Sequence, residues 1–124
     1  MPEKSLDQQR AAYAWQCVGE RRVNGDYVNL AKSAPALIMS NGLMQTLAFY
    51  RSKNKEHHRA LSQHIRKWLG AKPRKLVDDT SFNGVMQWLH GAESAQYMEA
   101  TEEVLEILRW IRTLADARMK QGGE

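Results

Sequence analysis

The sequence has few of the residues that covalent or metal cross-links need. It contains one cysteine, Cys17, among 124 residues. A single thiol cannot form a disulfide within the chain, and no Cys-x-x-Cys or Cys/His cluster has zinc-ligand spacing. Stability must therefore come from an apolar core, which a domain of this length can bury. Low cysteine usage is also typical of a reducing compartment, so we expect a cytoplasmic protein.

Long apolar runs, strand patterns and catalytic motifs are absent as well. No stretch approaches the about 18 apolar residues of a membrane span, and the first ten residues lack an apolar signal region. No alternating run of β-branched residues predicts a strand. The phosphate-loop, dinucleotide-binding and zinc-protease motifs do not occur. We therefore expect no membrane association, no cofactor, no metal and no catalysis.

Apolar residues recur instead at helical spacing, which predicts about six helices. Turn signals at Asn24-Gly25-Asp26, Asn41-Gly42 and Gly91 separate them. Pro35 lies inside the second helix, where its missing backbone donor favours a kink over a new start. The predicted helices cover residues 5–22, 27–39, 43–53, 55–69, about 79–90 and 94–120, with a frayed tail at about 121–124.

Short loops between amphipathic helices predict an all-α, compact single-domain bundle over residues 1–124, with the longest helix at the C-terminus. Ser5 or Asp7 is expected to cap the first helix, and Asp79 or Thr80 the fifth. Cys17 and Trp68 lie on apolar stripes and should be buried, as should Trp88. The stripe of the last helix is predicted to comprise Met98, Thr101, Val104, Leu105, Leu108, Ile111, Leu114 and Ala115.

Several polar and aromatic residues allow a structural or a functional interpretation. His57 and His64 share a helix face, where they are expected to be exposed and to add to a basic surface rather than bind a metal. The glutamates of the last helix are expected to form a solvated face. Trp15 and Trp110 lie off the main stripes, and either cover the edge of the core or stack on a base or a partner. The glutamates of the last helix that are expected to form the solvated face are Glu99, Glu102, Glu103 and Glu106.

Positive charge is the strongest functional signal. The formal net charge is +4, but residues 51–75 contain nine cations and one acid, Glu56. Residues 92–124 contain seven acids and four cations. A concentrated positive field attracts phosphate backbones, whereas the acidic stretch suits a basic neighbour such as another copy of the chain.

On the fourth helix the cations lie away from the apolar stripe. Together with Lys53 and the Lys72-Arg74-Lys75 loop they could form one positive band that neutralises phosphates without reading sequence. The alternative is a solvated face that only aids solubility. The candidate residues for binding a nucleic-acid backbone are Arg51, Lys53, Lys55, Arg59, Arg66 and Lys67.

Residues 33–53 read SAPALIMSNGLMQTLAFYRSK. This segment resembles the signature of the small subunit of the type III-B CRISPR effector, the Cmr complex. That family has a Pro-x-Leu-Ile stretch, an Asn-Gly-Leu turn, a Gln-x-Leu-Ala-Phe helix and then Ser-Lys. The early Ala11-Ala12-Tyr13 helix and the long last helix with Leu108-Arg109-Trp110 are similar in layout.

The resemblance implies a helical, non-catalytic subunit of an RNA-guided antiviral complex. Several copies would stack in a filament beside the guide RNA and help to hold the duplex of guide and target RNA, while other Cmr subunits cleave the target. Lys53 matches the terminal lysine of the motif and is therefore the first candidate for an RNA contact. Asn41-Gly42 matches the turn, for which a structural role is implied.

Two other functions remain open at this stage. The chain could be a scaffold that binds only protein subunits. It could also be a helix-turn-helix regulator with Asn41-Gly42 as the turn, although the helix that follows is apolar on too wide a face to enter a DNA groove.

Overall fold

The computed structural model describes residues 4–122. Six helices and no strands occur within that range, which confirms the all-α prediction and the long last helix. The helices are α1 (Leu6–Val18), α2 (Gly25–Asn41), α3 (Leu43–Lys53), α4 (Glu56–Leu69), α5 (Phe82–Gly91) and α6 (Ser94–Gly122). α6 continues two residues past the predicted end at 120, and the rest of the predicted tail, from position 123, lies outside the described residues.

Local capping explains where the helices begin and end. Ser5 caps α1 in a capping box, in which its side chain and that of Gln8 satisfy each other's backbone N–H groups. The helix ends at Val18, four residues before the predicted end, because the chain tightens into successive turns after Gly19. Ser81, not Asp79 or Thr80, caps α5 by accepting the backbone N–H of Gly84.

The segment around Pro35 is one continuous helix. α2 runs through Pro35 to Asn41, so no new helix starts at that proline. Gly42 alone separates α2 from α3, and its φ of 87° lies in the region that residues with a Cβ rarely adopt. The Asn-Gly turn therefore has the structural role that its sequence indicated.

The core lies where α6 crosses the other helices. α6 packs against α1, α2 and α4, while α2 and α3 pack against α4 and against each other. α5 packs on α3, to which it adds Val85 and Leu89. Cys17 on α1 and Trp68 on α4 are buried, as predicted, and Leu61, Ile65 and Leu69 complete the inward face of α4. Trp88 on α5 was also expected to be buried but is only partly buried at the edge of the core.

The buried stripe of α6 is rotated relative to the prediction. Met98 was expected inside but is 60% exposed, whereas Ala100, Glu103 and Ile107 are buried. The stripe from Ala100 to Ala115 faces α1, α2 and α4 together, so three neighbours set the rotation of the helix. Of the predicted members, Val104, Leu108, Ile111 and Ala115 are buried.

None of the helices described is both long enough and apolar enough to serve as a membrane span.

Candidate nucleic-acid interface

One row of polar residues runs along α4, exposed at Lys55 and Arg59, buried at Ser62 and half-buried at Arg66. Lys55, Arg59, Ser62 and Arg66 recur at spacings of four, three and four residues, so they project from one side of the helix. The opposite side is held in the core by Leu61, Ile65 and Trp68. The buried face thus fixes the rotation of α4 and directs Lys55, Arg59 and Arg66 to the same side.

Arginines from three segments converge at this side. Arg51 from α3 and Arg59 and Arg66 from α4 line one cavity of about 230 Å³, together with Arg22 from the segment after α1. The Arg51 guanidinium lies over the Phe82 ring, 5.2 Å from its centroid. This stacking links the end of α3 to the start of α5 and orients the Arg51 head group.

Arg66 is held in place by two hydrogen bonds. Its Nε donates to the Ser62 hydroxyl at 3.1 Å, and its Nη1 donates to the Thr80 carbonyl oxygen at 2.7 Å. Burial, followed by the nearby charge of Arg51, lowers the pKa of Arg66 below its ordinary value. A guanidinium remains protonated under such conditions, so the cavity keeps a fixed positive charge.

Lys53 and Lys55 lie beside this arginine group. The Lys53 ammonium is 5.4 Å from the centroid of the Phe49 ring, and both lysines are exposed. The pKa of His58, which also lines the cavity, is lowered first by burial and then by the charges of His57, Lys55 and Lys53. Within residues 4–122, no carboxylate pairs with Arg51, Lys53, Lys55, Arg59 or Arg66.

Lys67 is the candidate residue that the structure sets apart. It follows Arg66 by one residue and is therefore turned about 100° around the helix. Its charge acts on Cys17 of α1 and on His64, and none of these three residues lines the cavity. The remaining five candidates, Arg51, Lys53, Lys55, Arg59 and Arg66, are called the α3–α4 basic face below.

The loop after α4 does not extend this face as expected. Arg74 Nη2 contacts Glu99 Oε1 at 2.5 Å, and Lys75 Nζ is 3.4 Å from Asp78 Oδ1. Lys72 lies beside the N-terminal part of α1, near Tyr13. Two of the three loop cations are therefore neutralised within the chain, and the single band expected from residues 51–75 is replaced by the shorter α3–α4 basic face.

The prediction that His64 is exposed is wrong. Its side chain is 3% exposed, its Nδ1 lies 2.7 Å from the Tyr27 hydroxyl, and its Nε2 lies 3.0 Å from the Glu20 carboxylate. Burial lowers the pKa of His64, although the bond to Glu20 opposes this. The neutral ring then donates from Nε2 to Glu20 and accepts the Tyr27 O–H at Nδ1.

The Glu20 carboxylate that contacts His64 also positions Arg22 at the cavity. Glu20 accepts from Arg22 Nε at 2.7 Å, while Arg22 Nη2 donates to Gln63 Oε1. His57 is only half-buried, so the two histidines of the predicted pair lie in different surroundings. No three potential metal ligands come together in the part of the chain that the structure describes.

Glu103 corrects the expectation of a solvated glutamate face on α6. It is 4% exposed, and its carboxylate accepts from Arg10 Nε at 2.8 Å, Arg10 Nη2 at 2.9 Å and Trp68 Nε1 at 3.0 Å. Its hydrogen bond with Arg10 outweighs burial and lowers its pKa. Glu103 therefore joins α6 to α1 and α4.

The two tryptophans off the main stripes differ. Trp110 is half-buried against the core and donates its Nε1–H to Asp7 Oδ1 at 2.9 Å. Trp15 is 49% exposed, with the Arg118 guanidinium 4.7 Å from its ring centroid. Trp110 thus covers the edge of the core, whereas Trp15 presents a surface that Arg118 partly covers.

Comparison with known proteins assigns a family to this arrangement. The family described as CRISPR-associated protein (Cas_Cmr5) matches residues 6–118, which run from the start of α1 into the last turns of α6. The chain belongs to the Cmr5 family. The match includes every residue of the α3–α4 basic face.

A curated and a solved Cmr5 protein agree with this assignment. The chain is 32% identical over 103 residues to the CRISPR system Cmr subunit Cmr5 of Thermus thermophilus, covering 83% of this chain and 82% of that protein. It is also similar to the crystal structure of a CRISPR-associated Cmr5 family protein from the same organism. That similarity has a TM-score of 0.75 and 29% identity, over 93% of this chain and 97% of the other. The resemblance seen in residues 33–53 is therefore confirmed as Cmr5 membership.

Proposed function

We propose that this chain is a non-catalytic subunit of a CRISPR Cmr ribonucleoprotein and that its α3–α4 basic face holds the backbone of guide and target RNA. One observation carries the proposal. Arg51, Arg59 and Arg66 converge on one cavity, with Lys53 and Lys55 beside it, and no carboxylate of residues 4–122 pairs with them.

Phosphate is the ligand that such a surface suits best. Guanidinium groups present several N–H donors in a plane and bind phosphate oxygens in pairs, while lysines add mobile positive charge. Contacts of this kind position an RNA strand but do not read its sequence. In an RNA-guided complex the base pairs read the sequence, so a subunit that supplies only charge and shape is sufficient.

The partners follow from the family and from the charge distribution. The Thermus thermophilus relative is a subunit of the CRISPR Cmr system, and we assign this chain to the same kind of cytoplasmic complex. Stacked copies would align their basic faces, and individually weak phosphate contacts would then add along one RNA. The exposed Glu102 on the outer side of α6 suits a basic neighbour in that stack.

Charge reversal on the basic face tests the proposal. The double variant Lys53→Glu with Arg59→Glu is expected to weaken binding of a single-stranded RNA by about tenfold or more at low salt, because two phosphate contacts become repulsive. Circular dichroism should show unchanged helicity, since both side chains are exposed.

A matched control makes the same change of net charge elsewhere. Arg112 and Lys120 are exposed on α6, so Arg112→Glu with Lys120→Glu alters the net charge equally without touching the basic face. This control should keep most of the RNA affinity. Equal affinities for the two double variants would show that RNA responds to net charge alone, and the proposed face would then be wrong.

A further inference from the structure

The cavity at the centre of the α3–α4 basic face contains unused polar groups in addition to its arginines. The hydroxyl of Tyr50 and the Nδ1 atom of His58 belong to lining residues, are buried, and have no hydrogen-bond partner within residues 4–122. Tyr50 is 1% exposed and His58 is 8% exposed. Buried polar groups without a partner are rare in folded proteins, and each such group calls for an explanation.

We propose that this cavity is a specific site for a single phosphate group, bound by Arg51 and Arg59 at its mouth and by Tyr50 and His58 inside. The assignment of RNA as the source of the phosphate rests on the proposed function. The phosphate site itself is inferred from the cavity alone. The recognised chemistry is a tetrahedral oxyanion, which a backbone phosphodiester, a terminal phosphate or a free phosphate can provide.

The composition of the lining favours an anion. Four arginines and one histidine surround the space, and no carboxylate among residues 4–122 lines it. The remaining polar residues, Ser62 and Gln63, are uncharged. Glu20 contacts Arg22 but lies outside the lining. Like charges brought together in this way repel one another, and an anion between them removes that repulsion.

The lining groups are already oriented. Arg66 is fixed by Ser62 and by the Thr80 carbonyl, Arg22 by Glu20 and Gln63, and Arg51 by the Phe82 ring. The rings of Tyr50 and His58 pack edge to face, with their centroids 5.5 Å apart. A site whose donors are ordered before binding loses less conformational freedom when the ligand arrives.

The size of the cavity selects a group rather than a whole nucleotide. Pockets that enclose drug-sized ligands measure roughly 300–1,000 Å³. The present cavity has about 230 Å³, and the exposed Arg51 and Arg59 leave it open to solvent. A phosphate group with some water fits this space, while the attached sugar and base would remain outside against the basic face.

Titration of the full chain with inorganic phosphate, followed by amide NMR shifts, tests the site. We expect saturable shifts confined to residues around positions 50, 58 and 62. Tyr50→Phe should weaken phosphate binding about tenfold, because it removes one donor to a charged ligand and keeps the ring. The same variant should not lower the thermal stability of the free protein, since the lost hydroxyl has no partner there.

Two further variants test whether phosphate binding depends on the cavity lining or only on the net charge of the protein. Arg51→Gln removes an exposed lining cation and should also weaken phosphate binding, whereas Arg112→Gln makes the same charge change on α6 and should leave it unaltered. Non-saturating shifts, or equal binding by the native protein and Tyr50→Phe, would overturn the phosphate site.

The source of the phosphate is resolved by comparing adenosine monophosphate with the diribonucleotide ApA. Tighter binding of ApA identifies a backbone phosphodiester, and tighter binding of the monophosphate identifies a terminal or free phosphate; both results support an oxyanion site. Binding of neither by the native protein would contradict it.

The outcome is separable from that of the proposed function. Lys53 and Lys55 do not line the cavity, so Lys53→Gln with Lys55→Gln should weaken binding of long RNA more strongly than binding of inorganic phosphate. Loss of RNA binding in this variant, combined with no effect of Tyr50→Phe on phosphate, would retain the function and reject the site. Phosphate binding that depends on Tyr50 in a protein with no affinity for long RNA would retain the site and reject the function.

Discussion

Removal of the Glu103 carboxylate should destabilise the fold more than any other single change among the acidic residues of α6. Three hydrogen bonds converge on it, two from Arg10 and one from the Trp68 indole, and it is almost fully buried. Glu103→Ala would leave the Trp68 indole N–H without a partner, and the 14% exposed Arg10 guanidinium would keep only its longer contact with Asp7 Oδ1, at 3.7 Å. Breaking a buried ion pair by removing one member costs about 3–5 kcal/mol.

Glu103→Gln separates charge from hydrogen bonding. The amide keeps one acceptor oxygen but loses the charge and the second oxygen, and hydrogen bonds to charged groups contribute about 1 kcal/mol more than neutral ones. We therefore expect a loss of about 1–3 kcal/mol for this variant, smaller than that for Glu103→Ala. Glu102→Ala, at an exposed neighbouring position, is the matched control and should change stability by less than about 0.5 kcal/mol.

Urea denaturation monitored by circular dichroism measures these differences, with the slope of the transition compared between variants. Because Glu103 has a lowered pKa, its contribution is present above the ordinary value of 4.5 and is lost as the pH falls through the lower folded pKa. The Gln variant should lack this acid dependence. A loss below about 1 kcal/mol for Glu103→Ala would show that the Arg10–Glu103–Trp68 contacts do not hold α1 and α4 on α6.

Two further predictions concern the core and its histidines. Leu108 is fully buried, so Leu108→Ala should cost roughly 2–5 kcal/mol in the free energy of unfolding, and a denaturation result below about 0.5 kcal/mol would mean that the α6 stripe is misplaced. Burial lowers the pKa of His64, which lies beside Glu20, Arg22 and Lys67. It also lowers the pKa of His58, which lies beside His57, Lys55 and Lys53. Below the ordinary histidine pKa of 6.5, the unfolded chain therefore binds more protons than the folded one. The free energy of unfolding should therefore fall as the pH is lowered from 7 to 5, by at most about 1.4 kcal/mol per pH unit for each histidine, and a profile that stays flat or rises over this range would contradict the buried neutral state.

Helical periodicity was sufficient to predict the elements of this fold. The apolar spacing of α3 and α4 gave their bounds within about one residue, because strong turn signals flank both helices. The end of α1 was less accurate, since residues 19–22 remain compatible with a helix and the change to successive turns depends on contacts made after folding. The family signature in residues 33–53 carried the functional assignment.

The polar residues inside the core were missed although their positions contained a signal. His64 lies three residues after Leu61 and four before Trp68, which is the spacing of the buried face. Glu103 lies between Ala100 and Ile107 on α6 in the same way. Periodicity alone cannot assign a charged side chain to the interior, because the partner that makes burial tolerable is distant in sequence; for Glu103 it is Arg10.

The basic face was predicted only in part, because the contacts that complete it also join residues that are distant in sequence. Sequence spacing placed Lys55, Arg59 and Arg66 on one side of α4, but only the folded chain adds Arg22 to them and pairs Arg74 with Glu99. The unpartnered hydroxyl of Tyr50 became visible only with the cavity. Long-range pairing therefore decides which cations of a charge cluster remain available to a ligand.

The salt dependence of RNA binding tests the central claim most directly. For a single-stranded RNA, the logarithm of the affinity should fall linearly with the logarithm of the salt concentration, with a slope of about −0.7 for each phosphate contact. Engagement of the five-residue α3–α4 basic face predicts a slope of about −3 to −4, reduced by about 0.7 in Lys53→Ala and unchanged in Arg112→Ala. A slope near zero, or the same slope in native protein and Lys53→Ala, would contradict the account and leave a subunit that binds only other proteins.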